Sequence, residues 1–280
     1  GGDIVHSSLL KYPQEINNPD SPVTLLNTKS GKFYTAQSRL VNANNPKQSD
    51  ILVAYKSKKK TYTLANGEKQ LTVTLIGKLK NGLKIKKIYI FNRGSYLIQM
   101  RYQITNQTGK VWKGRVYTEL ARTKVKPKSS GFFHIHPYMG AAVSSPDKRY
   151  QEISFSEMKK QNLDKSVQGG WAAMVQHYFL SAWVPSSQST QNHYYTKVEA
   201  NKFYTVGFAG PAFSIAPKQT KTYSAQLYTG PEIAKVLKTI APGLDLTVSY
   251  GWLWFISVII FWVMEKIYYI VGNWGWSIIL

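Results

Sequence analysis

The chain has 280 residues and a formal net charge of +22, because 36 Lys and Arg outnumber 14 Asp and Glu. Apolar residues make up 43% of the sequence and aromatic residues 14%, a composition that excludes an intrinsically disordered chain. Cysteine is absent, which excludes disulfide scaffolds, thiolate metal sites and cysteine nucleophiles.

Short runs that alternate apolar and polar residues predict a β-rich body. Asn66-Gly67 and Asn81-Gly82 favour tight hairpins, because a type I′ turn needs a positive φ at both central residues. Many short strands with few helices between them predict a large antiparallel β-sandwich. The predicted strands cover residues 51–55, 71–75, 87–91, 96–104, 111–120, 194–199, 203–207 and 221–228.

Two basic neighbourhoods lie in the first part of the body. Solvated surface is the favoured interpretation, with anionic lipid headgroups second and nucleic acid third. Nucleic-acid binders concentrate aromatic residues and Arg on one face, whereas Lys dominates here and is scattered. The two neighbourhoods comprise Lys56, Lys58, Lys59 and Lys60, and Lys78, Lys80, Lys84, Lys86 and Lys87.

The histidines are the main candidates for chemistry. His134 and His136 would share one face of a strand and could bind a metal, but Asp147 and Glu152 are too generic to supply a third ligand. His177 has no Ser, Asp or Glu partner in a recognisable catalytic arrangement. P-loop, GxGxxG, HExxH and GxSxG motifs are absent. We therefore predict no catalytic residue, no metal and no cofactor.

A helix is predicted over residues 231–240, as the last element of a body that covers residues 1–243. Pro231 suits the first helical position, and Pro242-Gly243 ends the pattern. Its spacing of i, i+3, i+4 and i+7 gives one apolar stripe that should pack on the sandwich. The stripe consists of Ile233, Val236, Leu237 and Ile240.

The remaining residues form an apolar, Trp-rich tail in which only Glu265 and Lys266 are charged after Asp245. We predict a linker over 244–251 and an amphipathic helix over 252–271. Its aliphatic residues recur at spacings of three and four and form one arc, opposite Trp254, Ser257, Trp262, Glu265, Lys266 and Tyr269. A helix lying in the membrane interface is favoured, because the charged pair arrives before the roughly 20 apolar residues that a span requires. A spanning helix remains the alternative.

Residues 272–280 predict the start of a truncated transmembrane helix, because two Trp precede an aliphatic run. Gly272-Asn273 should separate it from the interfacial helix. The predicted membrane-interface residues are Trp252, Leu253, Trp254, Ile256, Ile260, Trp262, Val263, Lys266, Ile267, Ile270, Trp274 and Trp276.

Several segments resemble the YidC family of bacterial membrane protein insertases. The two most specific are 241–256 (APGLDLTVSYGWLWFI) and 272–279 (GNWGWSII). Looser matches are Gly169-Gly170-Trp171 with Gln176, Tyr178-Phe179 and Ala182-Trp183, the stretch from Leu227 to Glu232, and Gly1-Gly2-Asp3 with Leu9 to Pro13. The resemblance covers nearly the whole chain.

The resemblance implies a large antiparallel super-sandwich like that of galactose mutarotases, with a C-terminal packing helix and an interfacial helix. It implies a bacterial inner-membrane protein with residues 1–250 in the periplasm. The insertase groove would lie beyond residue 280, and an N-terminal membrane anchor and the first strand of the domain would precede this chain. The fragment would then be a monomeric, non-enzymatic docking and positioning module.

The partners that the resemblance implies are the Sec translocon with its accessory subunits and, through the missing core, nascent membrane proteins. Anionic phospholipid is a further expected partner, because a basic domain close to an anionic leaflet gains electrostatic attraction. Two other classes of protein remain open. One is a carbohydrate-binding or mutarotase-like protein on the same fold, and the other is a basic nucleic-acid binder, which would show steeply salt-dependent binding.

Overall fold

The computed structural model describes residues 1–15, 17–29, 31–43, 53–79, 82–124, 138–176, 178–200, 202–248 and 254–279. The chain divides into two compact units, Gly1–Thr247 and Val248–Leu280. The first unit, called the body below, is built almost entirely of β-strands. The second unit, called the tail, is helical. His134, His136 and His177, the candidate metal and catalytic histidines, lie outside the described residues.

Seventeen strands, four α-helices and one short 3-10 helix occur among the described residues. The strands are β1 Ser7–Glu15, β2 Asn18–Leu26, β3 Tyr34–Asn42, β4 Tyr55–Ser57, β5 Gln70–Lys78, β6 Leu83–Asn92, β7 Leu97–Asn106, β8 Trp112–Thr123, β9 Gly140–Ser144, β10 Gln151–Ile153, β11 Asp164–Gln168, β12 Trp171–Gln176, β13 Phe179–Pro185, β14 Gln191–Glu199, β15 Phe203–Ala209, β16 Phe213–Ile215 and β17 Thr220–Pro231. The helices are α1 Phe155–Lys160, α2 Ala234–Ile240, a 3-10 helix at Leu244–Thr247, α3 Trp254–Val271 and α4 Trp274–Ile279.

Two antiparallel sheets face each other in the body, which confirms the predicted sandwich. The larger sheet has the order β10-β9-β12-β13-β17-β7-β6-β5-β4, and the smaller has the order β11-β14-β15-β8-β16, with β3 also pairing with β8. Strands β1 and β2 form a separate two-stranded ribbon. Strands β6, β7 and β8 bury alternate residues, as the period of two in their sequences predicts.

Hydrogen bonds cross the core between the two sheets. Trp183 of β13 donates its indole N–H to the Glu119 carbonyl of β8 at 3.1 Å, and Tyr102 of β7 donates to the Ser38 carbonyl of β3 at 3.1 Å. Both donors are almost fully buried, so these bonds satisfy polar atoms that would otherwise destabilise the core. They also fix the register of one sheet against the other.

The hairpin predictions have different outcomes. Gly82 has φ +89 and lies in the turn between β5 and β6, so that hairpin is confirmed, while Asn81 lies outside the described residues. Asn66-Gly67 also forms a turn, with Gly67 at φ +83. However, residues 58–69 separate β4 from β5, so the prediction of a tight hairpin there was wrong.

The predicted helix over 231–240 begins three residues late. Pro231 is the last residue of β17, where it pairs with Phe179, and α2 starts at Ala234. Proline fits this place, because its missing N–H is tolerated where a strand ends. Of the predicted stripe only Leu237 is buried; Ile240 is half-buried, whereas Ile233 and Val236 are exposed.

The segment after β17 packs on the larger sheet. Trp171 of β12 donates its indole N–H to the Pro242 carbonyl at 3.1 Å, and Leu237 and Leu244 are fully buried. The 3-10 helix that contains Leu244 occupies the first half of the predicted 244–251 linker. Those residues therefore belong to the body rather than to a linker.

Candidate membrane-interface site and charged clusters

The tail contains one long helix and one short helix. α3 covers Trp254–Val271, and α4 follows after Gly272 and Asn273. Gly272 has φ +68, a backbone conformation that favours glycine, and its N–H donates to the Tyr268 carbonyl at 2.7 Å. The Asn273 side chain then accepts from the Gly275 N–H at 2.8 Å and caps the start of α4. The predicted break at Gly272-Asn273 is therefore confirmed.

α4 folds back onto α3 through stacked aromatic rings. The Trp274 ring lies 4.4 Å from the Tyr268 ring at an interplanar angle of 14°, and 6.3 Å from the Phe261 ring. Phe261 and Tyr268 are seven residues apart and share one face of α3. α4 therefore contacts that face of α3 through the Trp274 ring, although Phe261 remains 52% exposed.

Another part of α3 presents aliphatic side chains that the described tail leaves uncovered. Ile260 is 53% exposed, Val263 42% and Ile270 87%, whereas Ile267 is half-buried. Lys266 lies beside Trp262, with its ammonium 5.8 Å from the ring centroid. A lysine in such a position can keep its charge in water while its stem covers apolar surface.

The other predicted interface residues lie partly in α4, partly in α3 and partly outside the described residues. Trp274 and Trp276 are exposed in α4, and Trp254 and Ile256 lie in α3. Trp252 and Leu253 lie outside the described residues. Within the described part of the chain, no helix has both the length and the apolar character needed to cross a membrane.

Lys87 is not on the surface, although its basic neighbourhood was interpreted as solvated. Its side chain is 0% exposed, and its ammonium donates to the Asp3 carboxylate at 3.0 Å and to the Ser38 carbonyl at 3.3 Å. It also lies 5.5–5.8 Å from the ring centroids of Tyr55, Tyr89 and Tyr102. We call this group, formed by Asp3, Ser38, Lys87 and the three tyrosines, the Lys87 cluster.

The Lys87 cluster changes the ionisation of its members. Burial would raise the pKa of Asp3, but the Lys87 ammonium and hydrogen bonds from Ser38 and Lys87 outweigh it, so the pKa lies below its ordinary value. Burial lowers the pKa of Lys87, partly opposed by Asp3. The sequence carried a signal for this burial, because Leu83, Ile85, Lys87 and Tyr89 share the inward phase of β6.

Arg122 is a second buried cation, with 3% exposure. Its guanidinium donates to the Gln176 side-chain oxygen at 3.1 Å and lies 4.8 Å from the Tyr34 ring centroid. Among the described residues, its Nε has no hydrogen-bond partner and no carboxylate forms an ion pair with it. Burial lowers the pKa of Arg122, an effect that Tyr34 partly opposes.

Two clefts in the body share Phe33 and Phe203 as a common wall, where the two rings meet edge to face at 5.4 Å. The first, which we call the mixed cleft, has a volume of about 450 Å³ and is lined by residues of both signs, Asp3, Arg39, Glu119, Lys197 and Glu199. The second, the lysine cleft, has a volume of about 720 Å³ and is lined by Lys29, Lys124, Lys159 and Lys202.

Asp147 and Glu152, the two generic candidates for a third metal ligand, each contact one other side chain of the body. Asp147 lies 3.5 Å from the Lys165 ammonium, and Glu152 accepts a hydrogen bond from the Tyr150 hydroxyl at 2.9 Å. Among the described residues, no three His, Asp or Glu side chains are placed to hold a metal ion.

Comparison with known proteins identifies similar sequences over the whole chain. A family model described as "YidC periplasmic domain" matches residues 1–263. The protein named "Membrane protein insertase YidC" from Legionella pneumophila (strain Paris) is 46% identical over 280 residues, and its counterpart from Coxiella burnetii (strain RSA 331 / Henzerling II) is 42% identical over 284 residues. All of this chain is covered in both matches, and it spans half the length of these curated relatives.

Similar solved structures have low sequence identity. The alpha-galactosidase AgaB of Geobacillus stearothermophilus is 10% identical, with a TM-score of 0.46 over 83% of this chain and 35% of that one. A galactose mutarotase related enzyme from Lactobacillus acidophilus is 8% identical, with a TM-score of 0.42 over 70% of this chain and 82% of that one.

Proposed function

This chain belongs to the YidC periplasmic-domain family, and from that premise we propose that it is the periplasmic docking and positioning module of a membrane protein insertase. The module would aid insertion and folding of inner-membrane proteins, with or without the Sec translocon. The body, residues 1–243 together with the buried 3-10 helix, would face the periplasm. We assign it no enzymatic step of its own.

The observation that carries the proposal is the uncovered aliphatic side of α3. Ile260, Val263 and Ile270 are exposed on a helix that α4 contacts on a different face, through the Phe261, Tyr268 and Trp274 rings. Exposed aliphatic side chains in a row favour transfer to an apolar medium, at about 1.5–3 kcal/mol for each one fully buried. Trp and Lys beside them suit the headgroup level of a bilayer. We therefore propose that α3 lies in the plane of the membrane.

With α3 in the plane of the membrane, the body would lie close to its proposed partners. A helix held at the periplasmic surface would keep the body beside the translocon and its accessory subunits, and beside membrane segments leaving the insertase core. The net charge of +22 would add attraction to anionic phospholipid, which acts within a Debye length of about 8–10 Å.

Depth-dependent quenching tests the placement of α3. Because the chain has no cysteine, single cysteines replacing Ile260 or Tyr269 can carry one fluorophore each. In vesicles with quenchers at known depths, we expect the label at 260 in the shallow acyl region and the label at 269 among the headgroups. A depth that changes steadily along the helix and reaches the bilayer centre would instead indicate a spanning helix and overturn the proposal.

Matched substitutions provide an independent measurement. Ile260→Asp should weaken partitioning of the chain into vesicles by about 1.5–3 kcal/mol, because it removes one aliphatic contact with the acyl boundary. Tyr269→Asp adds the same charge to the headgroup side and should change partitioning little. Equal losses in both variants would contradict a two-sided interfacial helix.

A further inference from the structure

The lysine cleft brings together four lysines that are far apart in the sequence. Its four lysines come from four separate places in the chain: Lys29 follows β2, Lys124 follows β8, Lys159 lies in α1, and Lys202 lies in the turn before β15. Only the tertiary fold brings them to one concavity. Each is exposed, and within the described chain none of them forms an ion pair with a carboxylate.

No acidic residue lines this cleft among the described residues. The flanking positions outside that set, residues 30, 125–137 and 201, contain neither Asp nor Glu. On the other side of the Phe33–Phe203 wall, the mixed cleft holds three carboxylates and two cations. Of the two adjoining clefts, only the mixed cleft has carboxylates among its described lining residues, so the lysine cleft keeps an uncompensated positive charge.

The backbone around the lysine cleft is fixed by hydrogen bonds. The Lys29 N–H donates to the Asn27 side-chain oxygen at 3.1 Å, and the Lys202 N–H donates to the Glu199 carbonyl at 3.0 Å. α1 begins with a reciprocal cap between Ser154 and Glu157. The lysine stems therefore start from defined positions, although each ammonium remains free to reach a ligand.

We propose that the lysine cleft binds a phosphate-bearing anion. Ammonium groups are strong point-charge donors to phosphate oxygens, and several that converge can neutralise a multiply charged group. A volume of about 720 Å³ accommodates a diphosphate or a phospholipid headgroup, while Phe33 and Phe203 offer apolar surface beside it. The lipid source rests on the proposed membrane-facing role, whereas a soluble phosphate source does not depend on it.

Calorimetric titration of the full chain with inorganic diphosphate, in neutral detergent, tests the soluble phosphate source. The double variant Lys124→Gln/Lys202→Gln should bind at least about tenfold more weakly, because two charge-assisted contacts are lost. The control is Lys58→Gln/Lys60→Gln, which removes the same charge from exposed positions outside the cleft. The control should bind as the parent does, and thermal melts of both variants check that the fold is kept.

A second arm tests the lipid source. The full chain is added to vesicles of phosphatidylcholine alone, or with phosphatidylglycerol, and a fluorophore on a Thr28→Cys variant reports from the cleft. A phosphatidylglycerol-dependent signal that the cleft substitutions abolish and the control substitutions spare supports a headgroup ligand. Binding of diphosphate with no such signal supports a soluble ligand. Equal weakening in the cleft and control variants, or binding in neither arm, would overturn the proposal while leaving the membrane placement of α3 intact.

Discussion

Lys87 and Arg122 are both buried cations surrounded by aromatic rings, but Lys87 alone is paired with a carboxylate of the described residues. Lys87 contacts Asp3 at 3.0 Å, whereas Arg122 relies on the Gln176 amide at 3.1 Å and leaves its Nε without a partner among the described residues. A buried ion pair adds little by itself, yet removing one member is costly because the other stays charged in a poor solvent. The two sites should therefore respond very differently to substitution.

The largest expected effect is at Asp3. Asp3→Ala should lower the free energy of unfolding by about 3–5 kcal/mol, because Lys87 would keep an uncompensated charge at 0% exposure. Urea denaturation followed by tryptophan fluorescence measures the loss. The double variant Asp3→Ala/Lys87→Met should recover most of it, because both charges are gone. A loss below about 1 kcal/mol in the single variant would show that the Lys87 ammonium does not depend on Asp3.

The Asp3 contribution should also depend on pH. Its pKa is lowered in the folded state, so the unfolded chain takes up a proton first as the pH falls. The stabilisation is present above the unfolded value, near 3.8, and is lost as the pH falls through the lower folded value. The free energy of unfolding of the parent should therefore fall as the pH decreases through this acid range. The Asp3→Asn variant should lack this contribution to the fall.

Glu232 extends the comparison to a partly buried acid that forms no ion pair with a cation of the described residues. Burial raises the pKa of Glu232 to about 8, and its Oε1 has no hydrogen-bond partner in the described part of the chain. Between pH 4.5 and 8 the unfolded chain releases a proton that the folded chain keeps, so stability falls as the pH rises through this window. Glu232→Gln should remove this dependence and stabilise the body by about 1–2 kcal/mol near pH 9, since the group is only partly buried.

Thermal melts of the Glu232→Gln variant at pH 5 and pH 9 measure this effect. The expected gain in melting temperature is present at pH 9 and nearly absent at pH 5, where the parent carboxyl is already protonated. An equal gain at both values would show that packing, not ionisation, is responsible. Glu68→Gln, at an exposed position, tests whether loss of any carboxylate has the same effect.

The smallest effect is expected at Arg122. Arg122→Met should change the free energy of unfolding by less than about 1.5 kcal/mol, because the lost ring and amide contacts are offset by removing an unpaired buried charge. Parallel denaturation of Lys87→Met, which removes the buried ammonium paired with Asp3, gives the contrast. If Arg122→Met were as damaging as Asp3→Ala, the distinction between paired and unpaired cations would fail.

Alternation in the sequence predicted the strands that bury one face, such as β7 and β8, but missed β12 and β13. These strands are buried on both sides, with Trp171 packed against the segment after β17, so they show no polar phase. α1 was missed although Ser154 and Glu157 form a capping-box pattern in the sequence. The Phe261–Tyr268–Trp274 stack was not predictable from periodicity, because it joins side chains of two different helices, α3 and α4.

The candidate sites also differ in how far the sequence predicts them. The aliphatic spacing of α3 was readable from the sequence because it depends only on helical periodicity. The lysine cleft was not, since its members are separated by up to 173 positions and meet only through the fold. The pairing of Asp3 with Lys87, 84 residues apart, was hidden for the same reason. Local patterns predict elements and their faces, whereas charge clusters depend on which elements become neighbours.

The larger sheet ends, among the described strands, in β10 on one side and β4 on the other, each only three residues long. Lys56 lies within β4, and Lys58, Lys59 and Lys60 follow it, all exposed. Short edge strands are poor templates for strand addition by another chain, and the lysines on and beside β4 make that edge a poorer template still. A module proposed to work beside unfolded hydrophobic segments thus has sheet edges that disfavour intermolecular β-pairing, which protects both itself and its neighbours from aggregation.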